Sequence, residues 1–223
     1  MILITGGFGK LGNSLVKEIK NKKIFFIKRG NKYKKIAHNV VSLNLNNKNH
    51  LKKLFKSYKF SILIHLAVTR NPLKIKNIRD TSTLIKDTNI SINFLNEMRN
   101  IKKIILASSV SIFKLRSLTD KIDRRLIIKD INKFLNNNNN NKIIIKSYFK
   151  KKRKKLINID PLFHSNKNMR LNGSNKLINE ILFVNYALEN KIKIMIIRPS
   201  TIIETKKERK ELQLKIKKYK KLN

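Results

Sequence analysis

The chain has 223 residues, 41% of them hydrophobic, and a formal net charge of +40, which suits one domain with a buried core and a strongly basic surface. It has no cysteine, which excludes disulfides, thiolate metal sites and a cysteine nucleophile. The apolar residues at the N-terminus end at Thr5, too soon for a signal peptide. No apolar stretch approaches the ~20 residues that a membrane helix needs, so we expect a cytoplasmic protein without a membrane span.

Short β-branched runs alternate with helical patterns along the chain, which predicts βαβ units and a parallel sheet. The predicted strands are Ile2–Ile4, Lys23–Ile27, Val40–Leu43, Ser61–Leu66, Lys103–Ala107 and Ile192–Ile197. Apolar residues at helical spacing form three stripes: Leu11, Leu15, Val16 and Ile19; Ile90, Phe94, Leu95 and Met98; and Leu177, Ile181, Val184 and Leu188. Six such strands predict a doubly wound α/β sheet of order 3-2-1-4-5-6.

Two segments interrupt this alternation. Residues 115–156 contain the asparagine run Asn136–Asn141 and the basic run Lys150–Lys155. Because asparagine runs bury little apolar surface, we expect an irregular, exposed insertion there. The second segment, Lys206–Asn223, is predicted to be a basic tail that follows a single domain over residues 1–205.

A glycine-rich loop, Thr5–Gly12, directly follows the first predicted strand and opens the first helix. Gly6 permits a tight turn, Gly9 lets the backbone approach a pyrophosphate, and Gly12 allows the helix to pack on the sheet. Free N–H groups at the positive end of the helix would then bind the phosphates. The predicted phosphate-binding residues are Gly6, Gly9, Lys10, Leu11 and Gly12. The loop favours a Rossmann-type dinucleotide-binding domain.

This loop matches the T-G-G-x-G-x-x-G motif of the NAD(P)-dependent epimerase/dehydratase family, the extended short-chain dehydrogenases, which the chain resembles. Further similar motifs follow in the family's order, at Ile64–Ala67, Asn89, Ile105–Phe113 and Ile196–Thr201. The resemblance covers about residues 1–114 and 157–204. It implies that Leu66, Ala67 and Asn89 bind the cofactor, with Asn89 at the head of the next helix.

The resemblance also implies how the adenosine end of the cofactor is held, with Asn44 and Leu45 near the adenine. Lys28 and Arg29 follow the second strand, and no carboxylate is near to bind a ribose 2′-hydroxyl. This favours NADP over NAD, with Arg29 at the 2′-phosphate. NAD remains the alternative, because basic residues are abundant throughout this chain.

Catalysis in the family uses a tyrosinate base, a lysine four residues later that lowers the tyrosine pKa and binds the cofactor ribose, and a serine or threonine. Ser109 matches the serine and Lys176 the lysine, but Asn172 stands at the tyrosine position and cannot act as the base. Two structural alternatives stay open, a strand-capping role for Ser109 and a solvated helix position for Lys176. Tyr148, four residues before Lys152, is an alternative catalytic tyrosine.

Three functions are compatible with these features. The resemblance implies action on a nucleotide sugar by hydride transfer, with catalysis impaired by Asn172 and by a shortened substrate region after Pro199. The alternatives are a noncatalytic NAD(P)-binding sensor or partner subunit and a polyanion-binding protein that keeps the fold. The charge itself has two explanations, nonspecific polyanion binding or A/T-rich codon bias. The sequence predicts no metal site, since His38, His50, His65 and His164 lack ligand spacing.

Overall fold

The structure is a computed structural model of the chain. It describes residues 1–19, 23–67, 82–109, 112, 121–136, 143–148, 167–199 and 201–203. The basic tail, His164, Lys152 and most of the asparagine run lie outside these residues, and their predicted roles stay predictions.

Ten strands and five helices make up the described part of the chain. The strands are β1 (Ile2–Thr5), β2 (Ile24–Arg29), β3 (Lys34–Ala37), β4 (Val40–Leu43), β5 (Ile62–His65), β6 (Lys103–Ala107), β7 (Lys121–Asp123), β8 (Ile143–Tyr148), β9 (Lys193–Pro199) and β10 (Thr201–Ile203). The helices are α1 (Lys10–Glu18), α2 (Lys48–Ser57), α3 (Ser82–Glu97), α4 (Arg124–Asn136) and α5 (Lys167–Glu189).

Eight strands form one sheet in the order β3-β4-β2-β1-β5-β6-β9-β8, and β7 pairs separately with β10. The six inner strands from β4 to β9 are parallel and follow the predicted doubly wound order, which confirms the predicted fold. The structure adds a strand at each edge: β3 pairs antiparallel with β4, and β8 pairs parallel with β9.

Helices cover both faces of the sheet. On one face, α2, α3 and α5 bury side chains such as Leu54, Phe94 and Phe183 against the strands. On the other face, α1 and α4 do the same with Leu15 and Ile131. The strands are apolar on both sides because each side faces a helix layer.

The apolar stripes of α1 and α3 face the sheet as predicted, but the stripe predicted for α5 is wrong. Ile181 and Leu188 are 51% and 47% exposed, whereas Phe183 and Ala187 are buried. The inward side of α5 carries polar residues as well, including Asn175 and Asn179. Hydrogen bonds of Asn175 and Asn179 offset the cost of burying these polar side chains. Apolar periodicity alone therefore predicted the wrong face of α5 as the buried one.

The expectation of an irregular segment over residues 115–156 also needs correction where that segment is described. Helix α4 buries one side, and β8 extends the main sheet beside β9. The buried side chains of α4 are Ile127, Ile128, Ile131, Phe134 and Leu135. The asparagine run starts at the last residue of α4, Asn136, so the composition of the run concealed an amphipathic helix before it.

Candidate functional site

The candidate site lies at the carboxyl ends of the central strands. From β1 the chain proceeds outward through β2 on one side, while β5, β6 and β9 lie on the other side. The sheet therefore has its switch point between β1 and β5, which is where open parallel sheets bind ligands. The loop Gly6–Gly12 follows β1 at this point.

The geometry of the loop explains its glycines. Gly6 has φ +68°, and a Cβ there would lie 2.8 Å from the backbone nitrogen of Ala67. A Cβ on Gly12 would lie 2.5 Å from the carbonyl oxygen of Gly6, so the first turn of α1 packs directly on the loop. These two positions admit only glycine, while Gly9 is exposed.

Helix α1 presents backbone donors beside that exposed glycine. Gly9 caps the helix in extended conformation, and its carbonyl accepts the N–H of Asn13. The N–H groups of the first turn, on Lys10, Leu11 and Gly12, precede the first intrahelical bond and are available to an external acceptor. The structure thus fits a pyrophosphate, with these three N–H groups and the positive helix end as its binding groups.

A buried hydrogen-bond chain joins β1 to β5 below the loop. The Ala67 N–H donates to Thr5 Oγ1 over 3.1 Å, and Thr5 Oγ1 lies 3.0 Å from Nδ1 of His65. His65 also packs against Phe94 and Phe183. Burial, reinforced by the charge of Lys176, lowers the pKa of His65 to about 3, so the imidazole is neutral.

Residues assigned to the adenosine end follow the next two strands outward. Arg29 ends β2 and is exposed, and Gly30 after it donates its N–H to the carbonyl of Leu43 in β4. Asn44 follows β4, but its side-chain oxygen accepts the N–H of Asn46 over 3.0 Å, which shapes a turn. Leu45 packs against the core on the α2 face.

Lys176 reaches the carboxyl end of β6 from helix α5. Its Nζ donates to the carbonyl oxygen of Ala107 over 3.1 Å, two residues before Ser109, so the predicted serine and lysine lie at the same strand end. Burial lowers the pKa of Lys176 to about 8, although Asp87 and Glu180 act to raise it. Lys176 is therefore a buried lysine, which excludes the solvated alternative.

Asn172 lies one turn before Lys176 in α5 and is partly exposed, as Ser109 is after β6. The i, i+4 spacing places Asn172 and Lys176 on one side of the helix. Both Asn172 and Ser109 have polar partners of their own. The structure therefore places Asn172 and Lys176, the residues predicted at the family's tyrosine and lysine positions, one turn apart on α5.

Two predicted positions need correction. Asn89 lies in the middle of α3 and is exposed, so it does not stand at the head of the helix. Tyr148 ends β8 at the sheet edge, where its hydroxyl donates to Asp130 Oδ2 over 2.7 Å. Burial, followed by the carboxylate of Asp130, raises the pKa of Tyr148, the opposite of what a tyrosinate base requires.

Sequence reasoning missed a polar network between α3 and α5. Asn175 donates to Asp87 Oδ2 over 2.5 Å, and Asn179 donates to Asn175 Oδ1 over 3.2 Å. Ser91 Oγ then donates to Asn179 Oδ1 over 2.8 Å. The sequence signal that could have indicated this network is the i, i+4 spacing of its polar residues, Asp87 and Ser91 in α3 and Asn175 and Asn179 in α5.

A buried ion pair, also missed, joins α5 to β9. Arg198 donates from Nε to Glu180 Oε1 over 3.0 Å and from Nη2 to Glu180 Oε2 over 2.5 Å. The two side chains are only 8% and 5% exposed. This bidentate pair fixes the helix that carries Asn172 and Lys176 against the strand beside β6.

Comparison with known proteins identifies the family. The model of the NAD dependent epimerase/dehydratase family matches residues 2–145, more than half of the chain. The chain belongs to this family. No curated protein sequence is similar enough to count as a match.

Solved structures share the fold. A UDP-glucose 4-epimerase superposes with a TM-score of 0.56 at 15% identity, covering 89% of this chain and 50% of that one. The UDP-glucose 4-epimerase from Bifidobacterium longum, in complex with NAD+ and UDP, has a TM-score of 0.52 at 16% identity, covering 88% of this chain and 52% of that one. A monomeric L-threonine 3-dehydrogenase from a metagenome has a TM-score of 0.53 at 18% identity, covering 89% of this chain and 53% of that one.

The chain spans about half the length of these solved structures. The likeness, at such low identity, establishes the fold. Family and fold together support binding of an NAD(P) dinucleotide. In the described part of the chain, no helix is long and apolar enough to cross a membrane.

Proposed function

We propose that this family member binds NADP or NAD at the carboxyl edge of the sheet, with the pyrophosphate on the first turn of α1. The observation that carries the proposal is the loop itself, where a Cβ at Gly6 or Gly12 would collide with backbone while Gly9 is exposed. Lys10, Leu11 and Gly12 supply the N–H donors. Leu66 and Ala67, after β5, adjoin the same loop through Thr5.

NADP is the favoured cofactor in this proposal. Arg29 and Lys28 are both exposed at the end of β2, and no Asp or Glu occurs anywhere in residues 23–67. A ribose 2′-phosphate would therefore meet positive charge at Lys28 and Arg29, and residues 23–67 offer no carboxylate to a 2′-hydroxyl. NAD is the alternative that a direct titration distinguishes.

Hydride transfer on a nucleotide sugar, with weak turnover, is the proposed chemistry. A bound nicotinamide supplies the hydride acceptor and donor. Lys176 holds a buried ammonium at the end of β6, near Ser109, where it can orient a ribose or sugar hydroxyl. Asn172 can donate or accept a hydrogen bond but cannot take the proton, and loss of general acid–base catalysis costs ~10²–10⁴ in rate.

The second candidate function is a noncatalytic NAD(P)-binding sensor or partner subunit. It is favoured by the amide of Asn172, which cannot act as the catalytic base. A fluorescence titration with NADPH and NADH tests the binding, and a screen of nucleotide sugars tests turnover. We expect saturable binding, tighter for NADPH, and turnover that is slow or undetectable. Absence of binding by both nucleotides would overturn the proposal.

A matched pair of variants separates the two candidates. If the protein is an impaired enzyme, Asn172→Tyr should raise turnover of a nucleotide sugar, while Asn172→Ala should leave it as slow as before. If the protein is a sensor, neither variant gives turnover, although both bind the dinucleotide. Fast turnover in the unmodified protein that persists in Asn172→Ala would show that the base lies elsewhere.

A further inference from the structure

Positive charge is concentrated on one half of the sheet. Residues 23–67, which run from β2 through β5, contain no Asp or Glu. Their basic residues are Lys23, Lys28, Arg29, Lys32, Lys34, Lys35, Lys48, Lys52, Lys53, Lys56 and Lys59. The described parts of residues 82–199 mix both signs, with carboxylates at Asp87, Glu97, Asp123, Asp130, Glu180 and Glu189. The asymmetry distinguishes this half from the general basicity of the chain.

Six of these lysines lie on α2 and on or beside the exposed edge strand β3. Strand β3 lies at one edge of the sheet with all four of its residues exposed, and α2 packs on the core through Leu51 and Leu54. Tyr33 joins the two elements, because Lys53 Nζ of α2 lies 4.8 Å from the centroid of its ring. We call this region the β3–α2 surface. Its defining exposed lysines are Lys32, Lys34, Lys35, Lys52, Lys53 and Lys56.

The arrangement suits a linear polyanion. Lys52 and Lys56 lie on successive turns of α2, about 6 Å apart along the helix axis, whereas Nζ of Lys48, one turn earlier, lies 3.9 Å from Oε1 of Glu97 in α3. Soluble surfaces usually mix charges of both signs, because like charges repel one another. A phosphodiester chain, with a charge every ~3.4 Å of axis per strand, would relieve that repulsion and release condensed counterions.

An anionic membrane is the competing partner, and the surface lacks what a membrane requires. Among the exposed large hydrophobic residues of the described chain, Ile36 is the one that lies between residues 23 and 67. Interfacial binding to lipid depends on an apolar face that enters the acyl boundary. One isoleucine within a lysine-rich strand does not form such a face, so the chemistry favours nucleic acid.

We propose that the β3–α2 surface binds the phosphodiester backbone of nucleic acid without reading its sequence. Aromatic and cationic groups meet there at Tyr33 and Lys53, as in sequence-independent binding of single strands. The site does not depend on the dinucleotide site, because none of the six defining lysines belongs to the Gly6–Gly12 loop.

Three double variants of the full chain, each changing the charge equally, test the proposal. Lys34→Glu with Lys35→Glu alters β3, and Lys52→Glu with Lys56→Glu alters α2. Lys129→Glu with Lys133→Glu is the matched control, since both lysines are exposed on α4, which covers the other face of the sheet. Thermal unfolding followed by circular dichroism verifies that each variant is folded.

Fluorescence anisotropy with a labelled 20-nucleotide RNA and a labelled DNA duplex measures affinity over a range of salt concentrations. We expect each β3–α2 variant to weaken binding at least about fivefold and to reduce the salt slope by ~1.4–1.8, the contribution of two phosphate contacts. The α4 control should change affinity less than twofold. Equal losses in all three variants would overturn the proposal, as would failure of the unmodified protein to bind. So would vesicles of anionic lipid that bind more tightly than either nucleic acid and show the same variant dependence.

Discussion

The hydroxyl of Thr5 lies 3.0 Å from Nδ1 of His65 and accepts the N–H of Ala67 over 3.1 Å. Thr5 ends β1 directly before the glycine loop, and His65 ends β5, so these bonds join the two strands at the switch point of the sheet. The position of the loop therefore depends on a buried polar contact as well as on the backbone pairing of the strands.

Replacing Thr5 with valine should test that dependence. The variant keeps the shape of the side chain but leaves the Ala67 N–H and the buried Nδ1 of His65 without this partner, and an unsatisfied buried group costs about 1–3 kcal/mol. Urea denaturation should show that loss in the free energy of unfolding. Thr5→Ser retains the hydroxyl and is the control. Equal stability of the valine and serine variants would show that the hydroxyl contributes nothing.

The buried imidazole predicts a pH dependence of stability. His65 has a folded pKa of about 3 against 6.5 in the unfolded chain, so the unfolded state binds the proton first as the pH falls. Its contribution is complete above pH 6.5 and is lost between pH 6.5 and 3, at up to about 1.4 kcal/mol per pH unit. Denaturation at successive pH values should show this slope, and His65→Phe should reduce it. An unchanged slope in that variant would assign the dependence to other groups.

Glu180 should be essential to the stability of α5. Glu180→Gln leaves the guanidinium of Arg198 buried without its counterion, and breaking a buried pair typically costs about 3–5 kcal/mol. Glu189→Gln is the matched control, because Glu189 is exposed on the same helix. Thermal or urea unfolding measures both. A loss below about 1 kcal/mol for Glu180→Gln would contradict a stabilising role of this ion pair.

Much of the fold could be predicted from the sequence, because parallel strands buried on both faces appear as short apolar runs. The glycine loop was equally accessible, since sterics at Gly6 and Gly12 restrict these positions to glycine. Helix α4 was not predicted from the sequence, because the adjacent asparagine run dominated the composition of residues 115–156. The ion pair of Glu180 with Arg198 depends on tertiary proximity that no local pattern reveals.

Helix α4 should behave as part of the core. Ile131 is fully buried against the sheet, and truncating such a side chain to alanine costs about 2–5 kcal/mol. Leu126→Ala is the control, because Leu126 lies on the same helix and is 57% exposed. Urea denaturation should show a large loss for Ile131→Ala and a change within about 0.5 kcal/mol for the control. Similar small effects in both would indicate that α4 is dispensable to the domain.

NADPH binding by a Gly9→Val variant tests directly whether the Gly6–Gly12 loop holds the dinucleotide. Among the described residues other than its chain neighbours, a Cβ on Gly9 would meet only the Gly6 carbonyl oxygen within 4 Å, at 3.1 Å, so the fold should tolerate the change better than one at Gly12. The branched side chain would nevertheless occupy the phosphate path beside the first turn of α1. Lys17→Val, at the other end of α1, is the control. We expect the control to bind NADPH like the unmodified protein and Gly9→Val to lose at least tenfold in affinity while staying folded. NADPH binding by Gly9→Val as tight as that of the unmodified protein would contradict the assignment of this loop as the dinucleotide site.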